Sequence, residues 1–128
     1  MTPTPAEVIA RRRAEQQALV ARAARFVVAL DETLVVRGAA VFGSVARGDF
    51  NDRSDIDVLV VAERLPEDPA ERQLVVGSPA PGGVEAVVWK PEEWRDRRAR
   101  RDPVAVDVEA HGIWLSGSME DLEGGAGR

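Results

Sequence analysis

Apolar residues at helical spacing predict a long helix near the start of the chain. Thr4 can cap this helix, Pro5 suits its first position, and Glu7 can close a capping box. The helix is predicted to run to about Leu30, with its apolar residues concentrated in the second half. Because the first half carries fewer apolar residues, we expect that half to be either solvated or packed on a partner.

Runs of β-branched and apolar residues follow and predict a small sheet. Strands are predicted over residues 34–42, 55–62, 84–90 and 113–116. Helices are predicted as a short turn after Gly43-Ser44 and over residues 70–76, 91–100 and 103–111. This order of elements predicts an α/β (α+β) protein with a small mixed β-sheet flanked by helices.

The length of 128 residues fits one domain with a modest core. We expect residues 1–30, the N-terminal helix, to form one domain with a core over residues 31–116. The glycine- and proline-rich segment 77–83 predicts turns. Residues 117–128 have the composition of a flexible tail.

Composition and charge exclude several classes of site. The chain has no cysteine and one histidine, which excludes disulfides, thiolate metal sites and histidine-rich metal sites. Its net charge of −5 disfavours a nucleic-acid partner, which would require a basic surface. No apolar run approaches the roughly 20 residues that span a bilayer, and no signal-peptide core is present. We therefore expect no membrane association and, by default, a cytoplasmic protein.

Two aspartates open the second predicted strand. Residues two apart in a strand point to the same face, so Asp55 and Asp57 are expected to project side by side. Adjacent carboxylates repel unless a cation lies between them, and Mg²⁺ prefers oxygen ligands that it shares with substrate phosphates. The alternative is that these residues simply begin a strand on its solvent face.

The Gly43-Ser44 pair follows the first predicted strand, where a helical turn begins. Glycine allows close approach of a ligand to the backbone, and the following amides and the Ser44 hydroxyl can hold a phosphate. Alone, Gly-Ser would be a plain turn. Together with the paired aspartates it predicts a site for a metal and a nucleotide.

A third carboxylate is expected from a neighbouring strand, and Glu85 is the candidate. Its strand is otherwise apolar on both faces and is therefore expected to be buried on both sides, where an acid needs a partner. The alternative is that Glu85 lies at the exposed start of the strand.

The stretch GSVARGDFNDRSDIDVLVV, residues 43–61, resembles the signature of the DNA polymerase β-like nucleotidyltransferase superfamily. The shared pattern is Gly-Ser, a spacer of about ten residues, here 45–54, and Asp-x-Asp. The residues around it resemble the minimal nucleotidyltransferase branch, of the antitoxin type that is paired with a HEPN-domain toxin. The resemblance covers roughly residues 30–116, although many relatives carry Asp where this chain has Glu85.

This resemblance implies a polymerase β-like nucleotidyltransferase fold and transfer of a nucleotide, usually AMP from ATP, to a hydroxyl acceptor. It implies that Asp55, Asp57 and Glu85 are catalytic and hold two Mg²⁺ ions, with Glu85 assisting deprotonation of the acceptor. The triphosphate would be bound by Gly43, Ser44 and Arg47. A surface position for Arg47 is the alternative interpretation.

Three functions stay open at this point. The first is an antitoxin-type adenylyltransferase that modifies a tyrosine of a small helical HEPN-type protein. The second is a transferase for a small molecule such as an aminoglycoside, working as a homodimer. Relatives of that kind carry an additional helical domain for the acceptor, and we see no room for one here, so a homodimer or hetero-oligomer would have to complete the acceptor site. The third is a module that binds a partner without turnover.

Several other residues are expected to be structural. His111 is predicted to interact with a helix dipole. Trp89, Trp94 and Trp114 are expected in the core or an interface. The arginine-rich segments 11–13 and 95–101 are predicted to form solvated helix faces.

Overall fold

The computed structural model describes residues 1–77 and 83–124. Helix α1 spans Pro5–Leu34 and begins with the predicted capping box. The Glu7 amide donates to Thr4 Oγ1 at 3.1 Å, and the Thr4 amide donates to Glu7 Oε1 at 3.2 Å. The helix extends past the predicted end at Leu30 because Leu34 still packs into the core, with 3% of its surface exposed.

The sheet has four strands in the order β3-β2-β1-β4. The strands are β1 Val36–Phe42, β2 Ile56–Ala62, β3 Val84–Trp89 and β4 Ile113–Ser116. Strand β1 is antiparallel to both β2 and β4, whereas β2 and β3 are parallel. The predicted mixed sheet is therefore confirmed.

Short helices connect and cover these strands. They are α2 Gly43–Arg47, α3 Pro69–Val76, α4 Pro91–Ala99, α5 Pro103–His111 and α6 Met119–Gly124. Helices α3, α4 and α5 each begin with a proline, which has no amide hydrogen to leave unbonded in the first turn. None of the helices in the described ranges combines the length and apolarity needed to cross a membrane.

The sheet buries both of its faces. On one face Ile56, Val58 and Val60 pack against α1, as the alternation along β2 predicted. On the other face Leu59 and Val61 pack in a second cluster with residues of the C-terminal helices, among them Trp94, Val108 and Leu122. Burial of each such side chain stabilises the fold by about 1.5–3 kcal/mol.

The C-terminal segment differs from the expected flexible tail. Residues Met119–Gly124 form α6, and Leu122 is buried with 2% of its surface exposed. It packs over β1 at Gly38, where the absence of a side chain leaves room for the leucine. Composition alone predicted fraying, whereas Leu122 and Met119 pack into the second cluster and Arg95 and Arg98 of α4 bind α6. Residues 125–128 and 78–82 of the predicted turn segment lie outside the described residues.

Candidate active site

Three neighbouring strands bring the predicted site residues into one row. Phe42, the last residue of β1, pairs with Asp57 of β2, and Asp57 pairs with Glu85 of β3. Because directly paired residues share a face of the sheet, the Asp57 and Glu85 side chains lie on the face covered by α4, α5 and α6. Gly43 follows Phe42 immediately, so the Gly-Ser turn lies beside this row.

The glycine at position 43 is required by the site geometry. Gly43 has φ +72°, a left-handed conformation that other residues adopt at a cost. A β-carbon at this position would overlap Oδ2 of Asp57. The backbone of the turn and the carboxylate of β2 are thus in direct contact.

An acid that the sequence interpretation missed completes this contact. Asp107 of α5 accepts a hydrogen bond from the Gly43 amide at 2.9 Å and from Arg47 Nη1 at 3.1 Å, both at Oδ2. Arg47 also lies 3.6 Å from Asp49. Nothing in the local sequence around Asp107 marks it, because the residue reaches the site only through the docking of α5 on the sheet.

The electrostatic environment of Asp57 favours a cation. Burial raises the pKa of the Asp57 carboxyl, and the nearby carboxylates of Glu85, Asp55 and Asp107 raise it further. Arg47 opposes this shift with a smaller effect. A positive charge bound among these groups would relieve the repulsion.

The donor set fits a hard cation by chemistry, because every candidate is a carboxylate oxygen. Within residues 1–77 and 83–124, however, no group of three aspartate, glutamate, histidine or cysteine side chains has the geometry to hold a metal ion. The carboxylates are close enough to raise the pKa of Asp57, yet they do not already converge on one point. Rotations of these side chains are sufficient to bring their carboxylates around one cation.

Glu85 is exposed, which contradicts the expectation that its strand is buried on both sides. It is the second residue of β3, and β3 lies at the end of the sheet order formed by the described residues. The buried residues of β3 are Val88 and Trp89, at the opposite end of the strand. Glu85 therefore lies beside Asp57 because the strand register pairs the two residues, although its side chain is exposed.

The first half of α1 holds the loop of the motif. Arg12 donates to the carbonyls of Gly48 at 3.1 Å and Phe50 at 2.7 Å, and its guanidinium lies 3.9 Å from the centre of the Phe50 ring. Gln16 donates to the Val45 carbonyl at 2.8 Å. Most residues of this half of the helix are exposed, and its side chains Arg12 and Gln16 hold the loop. This half packs on the segment between the Gly-Ser turn and Asp55.

The remaining candidates have mainly structural positions. His111 Nδ1 lies 3.4 Å from Asp107 Oδ1, so the histidine borders the site from its own helix. Trp89 and Trp94 are buried in the core, as expected, whereas Trp114 is half-buried. Arg98 pairs with Glu109 and Glu123, so the arginine-rich helix is neutralised locally and is not a fully solvated face.

Comparison with known proteins agrees with this architecture. The family described as nucleotidyltransferase domain matches residues 20–108. A protein of Sulfolobus solfataricus, proposed to be a nucleotidyltransferase, has 30% sequence identity and a TM-score of 0.55. The alignment covers 67% of this chain and 78% of that chain.

A structure described as a toxin–antitoxin with AMP-PNP is less similar, with 16% identity and a TM-score of 0.45 over 78% of this chain and 77% of that chain. No curated protein matches the chain. The family match spans the Gly-Ser turn, the paired aspartates, Glu85 and Asp107. The chain belongs to the nucleotidyltransferase domain family.

Proposed function

We propose that this chain transfers AMP from ATP to a hydroxyl acceptor, a tyrosine of a HEPN-type partner protein. The observation that carries the proposal is the row that Phe42, Asp57 and Glu85 form on three neighbouring strands, with Gly43 directly after Phe42. It places a glycine turn beside two carboxylates, the arrangement that a triphosphate and its counter-ions require.

In this reaction the acceptor oxygen forms a bond to the α-phosphorus of ATP. The bond from that phosphorus to the bridging oxygen breaks, and pyrophosphate leaves. The hydroxyl proton passes to the carboxylate of Glu85, which is exposed and can be reached from solvent. Gly43, Ser44 and Arg47 hold the triphosphate in place, which fixes the α-phosphorus relative to the acceptor.

The carboxylates of Asp55, Asp57 and Glu85 would hold two Mg²⁺ ions, which when bound neutralise charge at the reacting phosphate. Burial and, after it, repulsion from Glu85, Asp55 and Asp107 raise the pKa of Asp57, and the repulsion supports this assignment because a bound cation would relieve it. The protein contributes three acids from the starts of the neighbouring strands β2 and β3, and the glycine that lets the backbone pass close to Asp57.

The acceptor is proposed to belong to another protein. The chain contains no tyrosine, so a tyrosyl hydroxyl has to come from a partner. The exposed Glu85 on the terminal strand of the described sheet leaves this side of the site open to a large acceptor. The HEPN class of the partner is inferred from the resemblance to minimal nucleotidyltransferases.

The test incubates the protein with Mg²⁺, ATP labelled at the α-phosphate, and any small helical protein encoded beside it. We expect label on a tyrosine of the partner, located by mass spectrometry, and release of pyrophosphate. Asp57→Asn should abolish both. Glu63→Gln is the matched control, because Glu63 follows the other end of β2 and pairs with Arg37.

Transfer to an aminoglycoside and not to the protein would contradict the proposed acceptor and support the proposed AMP transfer. Absence of label and of pyrophosphate with every triphosphate tested would contradict the reaction itself. Equal label in the Asp57→Asn variant and the native chain would contradict the assignment of the site.

A further inference from the structure

We infer that Asp107 is an internal competitor for the nucleotide phosphate: its carboxylate lies between the Gly43 amide and Arg47, and a triphosphate binds there only when Asp107 leaves. The inference rests on the proposed function, which assigns Gly43, Ser44 and Arg47 to the triphosphate. It adds a residue on α5 that controls access to this position.

The geometry around Asp107 is that of an occupied anion site. A single oxygen, Oδ2, accepts from the backbone amide of Gly43 at 2.9 Å and from the Arg47 guanidinium at 3.1 Å. A backbone amide together with a guanidinium is also a combination that binds phosphate oxygens. The carboxylate therefore makes the contacts that a phosphate oxygen would make.

Arg47 has limited freedom to bind a second anion while Asp107 stays. Its Nη1 donates to Asp107, and its Nε lies 3.6 Å from Asp49. A phosphate that joined Asp107 on the same donors would be placed beside a like charge, which is unfavourable at such short range. The Asp57 carboxyl, whose pKa Asp107 helps to raise, adds to the negative charge of this region.

His111 gives the Asp107 carboxylate a partner on its own helix. The Asp107 side chain is 20% exposed, and its second oxygen already lies 3.4 Å from Nδ1 of His111, one turn further along α5. Rotation of the side chain toward His111 would release the Gly43 amide and Arg47 without moving the helix. The proposed opening step is therefore a rotation of the Asp107 side chain and not a movement of α5.

The experiment measures binding of inorganic tripolyphosphate without Mg²⁺, and of ATP with Mg²⁺, by titration calorimetry. The proteins are the native chain, Asp107→Ala, Asp107→Asn and the control Glu109→Gln. Glu109 lies on the same helix and pairs with Arg98, so its variant removes an equal charge away from the site. The thermal unfolding of each variant verifies that it is folded.

We expect Asp107→Ala to bind tripolyphosphate about tenfold more tightly than the native chain, which corresponds to about 1.4 kcal/mol. Asp107→Asn should give a smaller gain, because its amide oxygen can still accept from Gly43 but carries no charge. Glu109→Gln should bind like the native chain.

The outcomes separate this inference from the proposed function. If ATP and tripolyphosphate bind the native chain but bind Asp107→Ala equally or more weakly, the competition is contradicted and the proposed reaction is unaffected. If Asp107→Ala binds tripolyphosphate more tightly than the native chain does, and the native chain transfers no AMP in the labelled-ATP test, the competition holds and the proposed reaction is contradicted. If neither protein binds either compound, both are overturned.

Discussion

Gly43 and Asp57 approach each other so closely that a β-carbon on the glycine would overlap the Oδ2 atom of the aspartate. The two residues belong to different elements, the start of α2 and the second residue of β2. The contact joins the turn proposed to hold phosphate to the carboxylate proposed to hold metal. A change at either residue should therefore disturb the other.

Gly43→Ala should displace the Asp57 carboxylate and lower nucleotidyl transfer by roughly 100-fold, as expected when a catalytic group moves by about 1 Å. The measurement is the initial rate of pyrophosphate release with saturating ATP. Gly48→Ala is the control, because Gly48 also has a positive φ but a β-carbon there would meet nothing within 4 Å. Equal losses in both variants would indicate backbone strain and not the contact with Asp57.

Asp57→Asn should make the protein more resistant to unfolding at neutral pH. The folded pKa of Asp57 is raised above its ordinary value of 3.8, so the folded state binds the proton more tightly than the unfolded state does. The contribution of Asp57 to stability is therefore full below pH 3.8 and is lost as pH rises through the folded pKa. Asparagine does not titrate, so the advantage of the variant should grow over that window.

Thermal unfolding of the native chain and Asp57→Asn between pH 3 and pH 8 measures this effect, with Glu63→Gln as the control. A difference in midpoint that stays constant across the range, or that shrinks as pH rises, would contradict a raised pKa at Asp57.

Glu85→Gln should lower the rate of transfer without lowering the thermal unfolding midpoint, because Glu85 is exposed and its charge repels Asp57. The proposed role is to accept the proton of the hydroxyl and to complete the metal site, and glutamine can do neither in the same way. Rates are compared with those of Glu92→Gln, an exposed acid on α4. A normal rate for Glu85→Gln would remove Glu85 from the catalytic set.

Arg12→Ala should lower the free energy of unfolding by about 1 kcal/mol, because two carbonyls of the motif loop lose a charged donor at a partly exposed position. It should also increase hydrogen exchange in residues 48–50. Arg11→Ala, at an exposed neighbouring position, is the control. Equal stability of the two variants would show that the contacts to Gly48 and Phe50 do not hold the loop.

Leu122→Ala should lower the free energy of unfolding by about 2 kcal/mol, because the side chain is buried against the sheet. Leu74→Ala removes the same atoms from a leucine that is 83% exposed and should have little effect. Chemical denaturation measures both. If Leu122→Ala is as stable as the control, α6 does not contribute to the core.

The local sequence determined the order of elements from α1 through β4 and most of the candidate site. Capping residues, prolines at helix starts and the alternation along β2 act over a few positions, so their effect can be predicted without knowledge of distant contacts. The Gly-Ser turn and the paired aspartates are likewise neighbours in sequence. Their resemblance to the nucleotidyltransferase signature indicated that class, and the family match confirms it.

The tertiary structure decided the features that depend on docking between distant segments. Asp107 contacts Gly43 and Arg47 across 64 and 60 positions of sequence, which no local pattern records. The exposure of Glu85 follows from its place on a terminal strand of the described sheet. The formation of α6 in place of a frayed tail follows from the packing of Leu122 over Gly38. Side-chain burial and charge proximity are set by packing, so only the folded chain reveals them.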